Sequence, residues 1–179
     1  YRALFDQASD GIMFMPADGS QVMVNQSFAR MHGYDSPARM ERLRLADLDT
    51  PETAKPAPER LRRMLAGETL SFEVEHYRRD GRTFPLQVNC RAIRIGDQTY
   101  FLGFHRDITD FKRSQDALRA REDLVRTLVE NQGEGIGIVD TRDRFTFANP
   151  AAETIFGVNP GALVGKTLRR FLARSQSAE

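Results

Sequence analysis

The chain has 179 residues, of which 40% are hydrophobic, enough for the core of one ordinary domain and part of another. Lysine and arginine total 26 against 25 acidic residues, so the net charge of +1 gives no global attraction to nucleic acid or anionic lipid. The single cysteine, Cys90, excludes an intrachain disulfide and fits a reducing compartment, so we expect a cytoplasmic location.

No run of the sequence approaches the roughly 18 to 20 consecutive apolar residues that a membrane helix needs. No charged-then-apolar signal peptide opens it either. We therefore expect no membrane contact by this segment. Because the chain begins at Tyr1 rather than at a methionine, a membrane anchor elsewhere in the parent protein stays open.

The sequence resembles itself when it is shifted so that Asn25 meets Asn149, an offset of 124 residues. The hydrophobic pattern and the turn signals coincide at this offset, as they do when one structural unit is used twice. Further aligned identities are Arg2 with Arg126, Leu4 with Leu128, Gly11 with Gly135, Gly33 with Gly157 and Leu48 with Leu172.

Each copy opens with a predicted β-hairpin. In the first copy, apolar residues 12–15 and 22–24 flank an Asp18-Gly19 turn. In the second copy, residues 136–139 and 145–148 flank a turn near Asp143. An asparagine follows each hairpin, and both Asn25 and Asn149 are predicted to cap a helix.

The first copy continues with a predicted helix over residues 56–66, whose apolar stripe is Leu61, Met64 and Leu65 and which ends at Gly67. Three predicted strands follow, over residues 70–78, 83–95 and 99–106, with turns at Asp80-Gly81 and Gly96-Asp97.

The middle strand alternates cleanly, which predicts an antiparallel sheet with one face in solvent. Its apolar face comprises Phe84, Leu86, Val88, Cys90 and Ala92. In the second copy, nothing after Leu172 supplies the last three strands, so we expect only half a domain there.

Three segments carry a resemblance to the PAS domain family. They are residues 31–37 (MHGYDSP), residues 78–84 (RRDGRTF) and residues 103–109 (GFHRDIT). The resemblance implies an α+β fold in which a five-stranded antiparallel sheet with flanking short helices surrounds a small cavity. It places a complete first domain at residues 1–108, a linker helix at 109–123 and the N-terminal half of a second PAS domain at 124–179.

The resemblance also implies a function. PAS domains are sensory or scaffolding modules that regulate an output domain, often a histidine kinase or a diguanylate cyclase. The expected function is detection of a small-molecule or conformational signal and its relay through the linker helix in signal transduction, for example in a two-component system. The alternative is a ligand-free interaction scaffold. We find no nucleophile and base at a recognisable spacing, so the fragment is expected not to be an enzyme.

Cofactor binding is not expected. The resemblance places a photoadduct cysteine on a helix, whereas Cys90 falls in a strand, and the chain has no tryptophan to stack on a flavin. Haem-binding relatives carry a histidine on the longer helix, and residues 56–66 contain none. Haem and flavin are therefore disfavoured, no metal site is expected, and His32 is expected in a loop.

A ligand pocket and a solid core are both compatible with the apolar residues of the first copy. The residues predicted to line a pocket are Phe28, Met31, Met64, Leu65, Val74, His76, Val88, Cys90, Leu102, Phe104 and His105. The signal junction is predicted at Asp107, Ile108 and Thr109, where Asp107 or Thr109 would cap the helix and Ile108 would pack under the sheet.

The linker helix has one apolar seam. Phe111, Leu118 and Val125 recur at seven-residue spacing. This pattern favours a homodimer formed through the linker helix and the PAS surfaces, while packing of the seam on its own domain is the alternative. The remaining expected partner is an output domain in the same chain; the sequence does not identify the signal.

Overall fold

The computed structural model describes residues 2–17, 22–40 and 43–171. The chain folds as two compact units, Tyr1–Arg113 and Ser114–Glu179. The predicted Asp18-Gly19 turn and Leu172 lie outside the described residues. Among the helices that are described, none combines the length and the apolarity needed to cross a membrane.

The first unit is an antiparallel sheet with short helices, as predicted. Its strands are β1 (Gly11–Pro16), β2 (Met23–Val24), β3 (Thr69–Tyr77), β4 (Thr83–Ile95) and β5 (Gln98–Asp107), in the sheet order β2-β1-β5-β4-β3. Its helices are α1 (Arg2–Gln7), α2 (Gln26–Met31), α3 (Pro51–Ala54) and α4 (Ala57–Leu65), with 3₁₀ turns at Pro37–Arg39 and Leu45–Asp47.

Alternation sets the inner face of the sheet. In β4, Phe84, Leu86 and Val88 are buried, while Asn89 and Arg91 are exposed. This is the predicted period-two pattern of a strand that has one face on the core. The tight turns between β3, β4 and β5 contain glycines at positive φ, 82° at Gly81 and 60° at Gly96.

Two clusters of buried side chains form the core of the first unit. One lies between the sheet and α4 and comprises Met64, Leu70, Val74, Phe84, Leu86, Val88, Cys90 and Phe101. The other surrounds α2 and comprises Met13, Val24, Phe28, Ala29, Met40 and Leu48. Of the predicted stripe on α4, only Met64 is buried; Leu65 is 58% exposed, because the helix is short and turns one narrow face to the sheet.

Helix α5 (Thr109–Glu130) is longer than the predicted linker of residues 109–123. At the repeat offset, the end of α5 corresponds to α1 of the first copy, so the opening helix of the second copy continues from the linker without a break. The second unit then contains β6 (Gly137–Val139), β7 (Phe145–Ala148) and α6 (Pro150–Ile155). As predicted, Asp143 makes the β6–β7 turn, with φ 57°.

The repeat is visible at the level of single hydrogen bonds. The buried Asn25 side chain accepts from the backbone N–H of Phe28 and Ile12, and its amide donates to the carbonyls of Phe5 and Asp10. Asn25 therefore caps α2 and also ties α1, β1 and α2 together.

Asn149 makes the same four bonds in the second unit. It accepts from Ala152 and Ile136 and donates to the carbonyls of Val129 and Glu134. Every partner lies at the repeat offset from its counterpart in the first unit. The two asparagines thus organise the start of each copy in the same way, which confirms both predicted caps.

We expect Asn25→Ala to destabilise the first unit by roughly 2–4 kcal/mol, because it removes a cap and leaves buried backbone groups without partners. Amide hydrogen exchange should show lost protection at Ile12 and Phe28. Asn149→Ala is the matched control and should instead affect Ile136 and Ala152. Equal protection of Ile12 in wild type and Asn25→Ala would contradict this role.

Candidate functional site

A cavity of about 240 Å³ lies within the first unit, against the inner face of the sheet. This volume is below the range of roughly 300–1,000 Å³ that is usual for drug-sized ligands. The apolar lining comprises Met13, Met15, Leu45, Ala46, Ala57, Leu61, Met64, Phe72, Val74, Val88, Cys90, Phe101 and Gly103. The polar lining comprises Asp49, Thr53, Arg60, His76 and His105.

Six of the predicted pocket residues lie on this cavity: Met64, Val74, His76, Val88, Cys90 and His105. Five do not: Phe28, Met31, Leu65, Leu102 and Phe104. Phe28 is buried beside the cavity, where it stacks on His32, and Met31 is half-buried. Whether the lining residues bind a ligand stays a prediction.

The positions of Leu102 and Phe104 show why the hydrophobic pattern of β5 did not identify the inner face of this strand. Phe101, Gly103 and His105 face inward, so Leu102 and Phe104 face outward, and Phe104 is 42% exposed. Because both faces of this strand carry apolar residues, composition alone does not identify the inner one. The register with β4, whose inner face is clear, pairs Cys90 with Gly103 and settles the assignment.

The remaining residues of the lining were missed by sequence reasoning. Alternation from the inner residues of β3 and β4 would have found Phe72, and the hairpin pattern pointed to Met13 and Met15 without assigning them to a pocket. Asp49 and Arg60 gave no signal, because only the tertiary fold brings their segments over the sheet.

All three histidines are buried in one cluster. His32 Nδ1 lies 2.8 Å from the carbonyl oxygen of Phe28, and His32 Nε2 lies 3.0 Å from His76 Nδ1. His76 Nε2 lies 3.2 Å from an Asp49 carboxylate oxygen. His32 lies in the turn that ends α2, as its C-cap, and is fully buried, because this hydrogen-bond chain draws it toward β3.

The acceptors at the two ends of this hydrogen-bond chain fix where its histidines donate. A carbonyl only accepts, so His32 Nδ1 carries a hydrogen, and a carboxylate only accepts, so His76 Nε2 carries one. The contact between His32 Nε2 and His76 Nδ1 joins the two rings. The Asp49 carboxylate is therefore paired with a buried histidine.

His105 differs from the other two. It is 2% exposed, and its Nδ1 has no hydrogen-bond partner among the described residues. Its ring lies over Gly103, where an added Cβ would come within 2.8 Å of the imidazole, so only glycine leaves room for it. A buried polar atom without a partner is costly. His105 Nδ1 is therefore an unsatisfied polar atom beside the cavity.

The predicted junction follows at the end of β5. Asp107 Oδ1 accepts from the Thr109 N–H at 2.9 Å and from its hydroxyl at 2.5 Å, while Oδ2 accepts from Arg78 at 2.7 Å. Burial alone would raise the pKa of Asp107, but the hydrogen bonds from Thr109 and Arg78 outweigh it and lower the pKa. Ile108 is buried, and its N–H donates to the carbonyl of Pro85.

Arg78 extends the junction inward. Its guanidinium lies 3.8 Å from the centre of the Phe84 ring and also donates to the carbonyl of Met31 at the end of α2. The junction therefore joins β5, the β3–β4 hairpin and α2 to the first turn of α5.

Two family models match the chain. The model described as PAS domain matches residues 9–110, and the model described as PAS fold matches residues 123–179. The chain belongs to the PAS domain family.

Solved PAS structures resemble the chain. A domain of a sensory box sensor histidine kinase/response regulator from Geobacter sulfurreducens is 30% identical, with a TM-score of 0.52, and the match covers 60% of this chain and 90% of that one. A sensory box histidine kinase/response regulator from Burkholderia thailandensis is 22% identical, with a TM-score of 0.52, over 70% of this chain and 97% of that one. The second likeness concerns the fold alone.

A relative named as a sensor matches almost the whole chain. The methyl sulfide methyltransferase-associated sensor of Methanosarcina acetivorans is 26% identical over 165 residues, which are 91% of this chain. The chain spans only 16% of that relative's length.

Cys90 has the properties of a structural thiol in this PAS fold. It is buried on β4, and burial raises its pKa to about 11 despite the nearby positive charge of Arg60. A thiol with so high a pKa is a weak nucleophile at neutral pH.

The buried histidines His32 and His105 predict that the stability of the first unit depends on pH. Burial, with the neighbouring histidines, lowers the pKa of His32 to about 4 and that of His105 to about 3. An unfolded histidine titrates near 6.5, so the unfolded chain binds more protons below that pH. The free energy of unfolding is therefore highest above about pH 6.5. It declines as the pH falls toward 4, by up to about 1.4 kcal/mol per pH unit for each histidine.

Urea unfolding followed by circular dichroism at pH 7, 6 and 5 measures this loss. His105→Phe, which keeps a ring at the site, should retain roughly half of the pH dependence. Identical pH dependence in wild type and variant would show that His105 binds protons equally in the folded and unfolded chains, which would contradict the effect of burial.

Proposed function

We propose that this PAS segment is a sensory and dimerisation module that detects a small molecule or a conformational signal and relays it through α5 to a downstream output domain. The observation that carries the proposal is the cavity with an unpartnered polar atom, His105 Nδ1, beside the sheet. Empty space in a core costs stability. A ligand that fills the cavity and bonds His105 would therefore stabilise the conformation that holds it.

The route from the cavity to the junction follows two strands. On β5, His105 precedes Asp107 by two residues. The cavity residue His76, near the end of β3, precedes Arg78, the first residue after that strand, by the same spacing. Residues two apart lie on the same side of a strand. A shift of either strand at the cavity would thus move one partner of the Arg78–Asp107 pair. A ligand biases this movement only through different affinities for the two arrangements.

We propose a complete first domain at residues 1–108, the linker at 109–123 and half a second domain at 124–179. The family matches at 9–110 and 123–179 support this division, although helical structure continues to Glu130. The segment itself is not catalytic in this proposal, and the kinase or cyclase output lies elsewhere in the parent protein. A cytoplasmic location belongs to the same proposal.

The dimer is proposed through α5. Phe111, Leu118 and Val125 are between 53% and 67% exposed in the single chain, which leaves the seam open to a second copy. Leu118 and Val125 also border a groove with Ile136 and Phe147 within the second unit, which favours the alternative that the seam packs on its own domain.

The ligand-free scaffold is the competing function, and purified protein distinguishes the two. Native mass spectrometry combined with an absorption spectrum should detect a retained small molecule in a sensor. Protein that carries no molecule, and whose melting temperature no compound from a metabolite set raises, would favour the scaffold.

We expect Asp107→Ala to uncouple the sensor without unfolding it. The variant loses the bonds to Thr109 and Arg78, at a cost of about 0.5–2 kcal/mol, enough to fray the first turn of α5. In the parent protein, the melting temperature should stay near that of wild type while the stimulus-dependent change in output is lost. Arg82→Ala, at an exposed pair with Asp80, is a matched control that should retain regulation.

Unchanged regulation in Asp107→Ala, or collapse of the whole first unit, would rule out this transmission role.

A further inference from the structure

Arg60 is the arginine of the cavity lining. It lines the cavity from α4, its guanidinium lies 3.9 Å from the centre of the Phe72 ring, and it donates to the carbonyl of Thr53. Its neighbours Arg62 and Arg63 pair with Glu59 and Glu68, respectively. Arg60 has no such pair among the described residues.

Asp49 does not serve as the missing partner. Its carboxylate acts electrostatically on Arg60 but contacts His76. The Asp49 carboxylate is thus occupied by His76, and the Arg60 guanidinium makes no carboxylate contact among the described residues. A partly buried guanidinium that lies over an aromatic ring and contacts no carboxylate among the described residues favours an anionic ligand.

His105 adds a second polar contact at a separate position. A neutral imidazole nitrogen either donates or accepts, depending on the tautomer, and a hydroxyl group can satisfy it in both cases. Because Nδ1 is buried and unpartnered, a ligand hydroxyl there would complete the hydrogen bonding of the cavity.

The sheet register sets the separation of these two contacts. Phe72 on β3 pairs with Val88 on β4, which pairs with His105 on β5. Two strand spacings, about 10 Å at the backbone, therefore separate the ring under Arg60 from His105. The space between them is lined by Val88 and by flexible methionines, which adapt to an unbranched chain.

We propose that the cavity binds a small apolar hydroxy acid, whose carboxylate pairs with Arg60, whose hydroxyl bonds His105 Nδ1 and whose hydrocarbon body crosses Val88. This inference rests on the proposed sensory function and names the chemical class of its ligand.

Three probes of one chain length test the two ends separately. Isothermal titration of the purified chain with 6-hydroxyhexanoate, hexanoate and hexane-1,6-diol compares a hydroxy acid, an acid without the hydroxyl and an uncharged diol. We expect the hydroxy acid to bind most tightly. Loss of the carboxylate should weaken binding about tenfold or more, and loss of the hydroxyl about fivefold.

Variants assign each end to a residue. Arg60→Gln should remove the preference for 6-hydroxyhexanoate over the diol, while His105→Phe should remove its preference over hexanoate. Arg62→Gln alters an exposed arginine of the same helix that pairs with Glu59, so it is the matched control and should change neither preference. The wild-type comparison stands even if His105→Phe fails to fold.

Several results would overturn the inference: a diol that binds wild type as tightly as the hydroxy acid, a preference that survives Arg60→Gln, or binding of none of the three probes. If native mass spectrometry still finds a retained molecule of another class, the sensory function stands and only the ligand class is wrong. If no molecule is retained and no compound stabilises the protein, the sensory function itself fails.

Discussion

The hydrogen-bond chain from Asp49 through His76 to His32 is the constraint on which the first unit depends. Buried polar groups must be paired, and this chain pairs them only if the segment of Asp49, strand β3 and the end of α2 meet. Backbone bonds run alongside it, from Tyr77 to Leu48 and from Arg79 to His32. The hydrogen-bond chain therefore holds the segment of Asp49 and the end of α2 against β3, and the cavity lies beside them.

The same constraint explains the electrostatics of the cavity. Asp49, His76 and His32 are paired with one another, so burial of the Asp49 carboxylate costs less than burial of an isolated ion. The polar side-chain atoms of Asp49, His76 and His32 that form this hydrogen-bond chain already have partners. Among the described polar residues of the lining, Arg60 forms no ion pair and His105 Nδ1 has no hydrogen-bond partner, so the selectivity of the proposed ligand site would depend on these two groups.

Local signals in the sequence were sufficient for most of the fold. The alternation in β4, the glycine turns at Gly81 and Gly96, and the caps at Asn25 and Asn149 each depend on neighbouring residues, and each was predicted correctly. The length of α5 was not predicted, because no helix-stopping residue separates the linker from the first turns of the second copy.

The cavity was harder to predict, since its polar half depends on contacts between distant segments. His32 and His76 are 44 residues apart in sequence, and nothing near either residue marks the pair. Arg60 resembles Arg62 and Arg63 in sequence, and only the position of α4 over Phe72 distinguishes it. Inner and outer residues of β5 are both apolar, so its phase needed the register with β4.

The repeat separates what the fold requires from what the site requires. Asn25 and Asn149 make equivalent bonds, so the scaffold that joins hairpin to helix is common to both copies. At the repeat offset, His32 corresponds to Phe156, which packs against Phe145 rather than joining a polar chain. One scaffold thus carries a polar cluster in the first copy and an aromatic one in the second. Because function resides in such clusters rather than in the fold, the shared scaffold does not by itself give the second copy the polar cluster of the first.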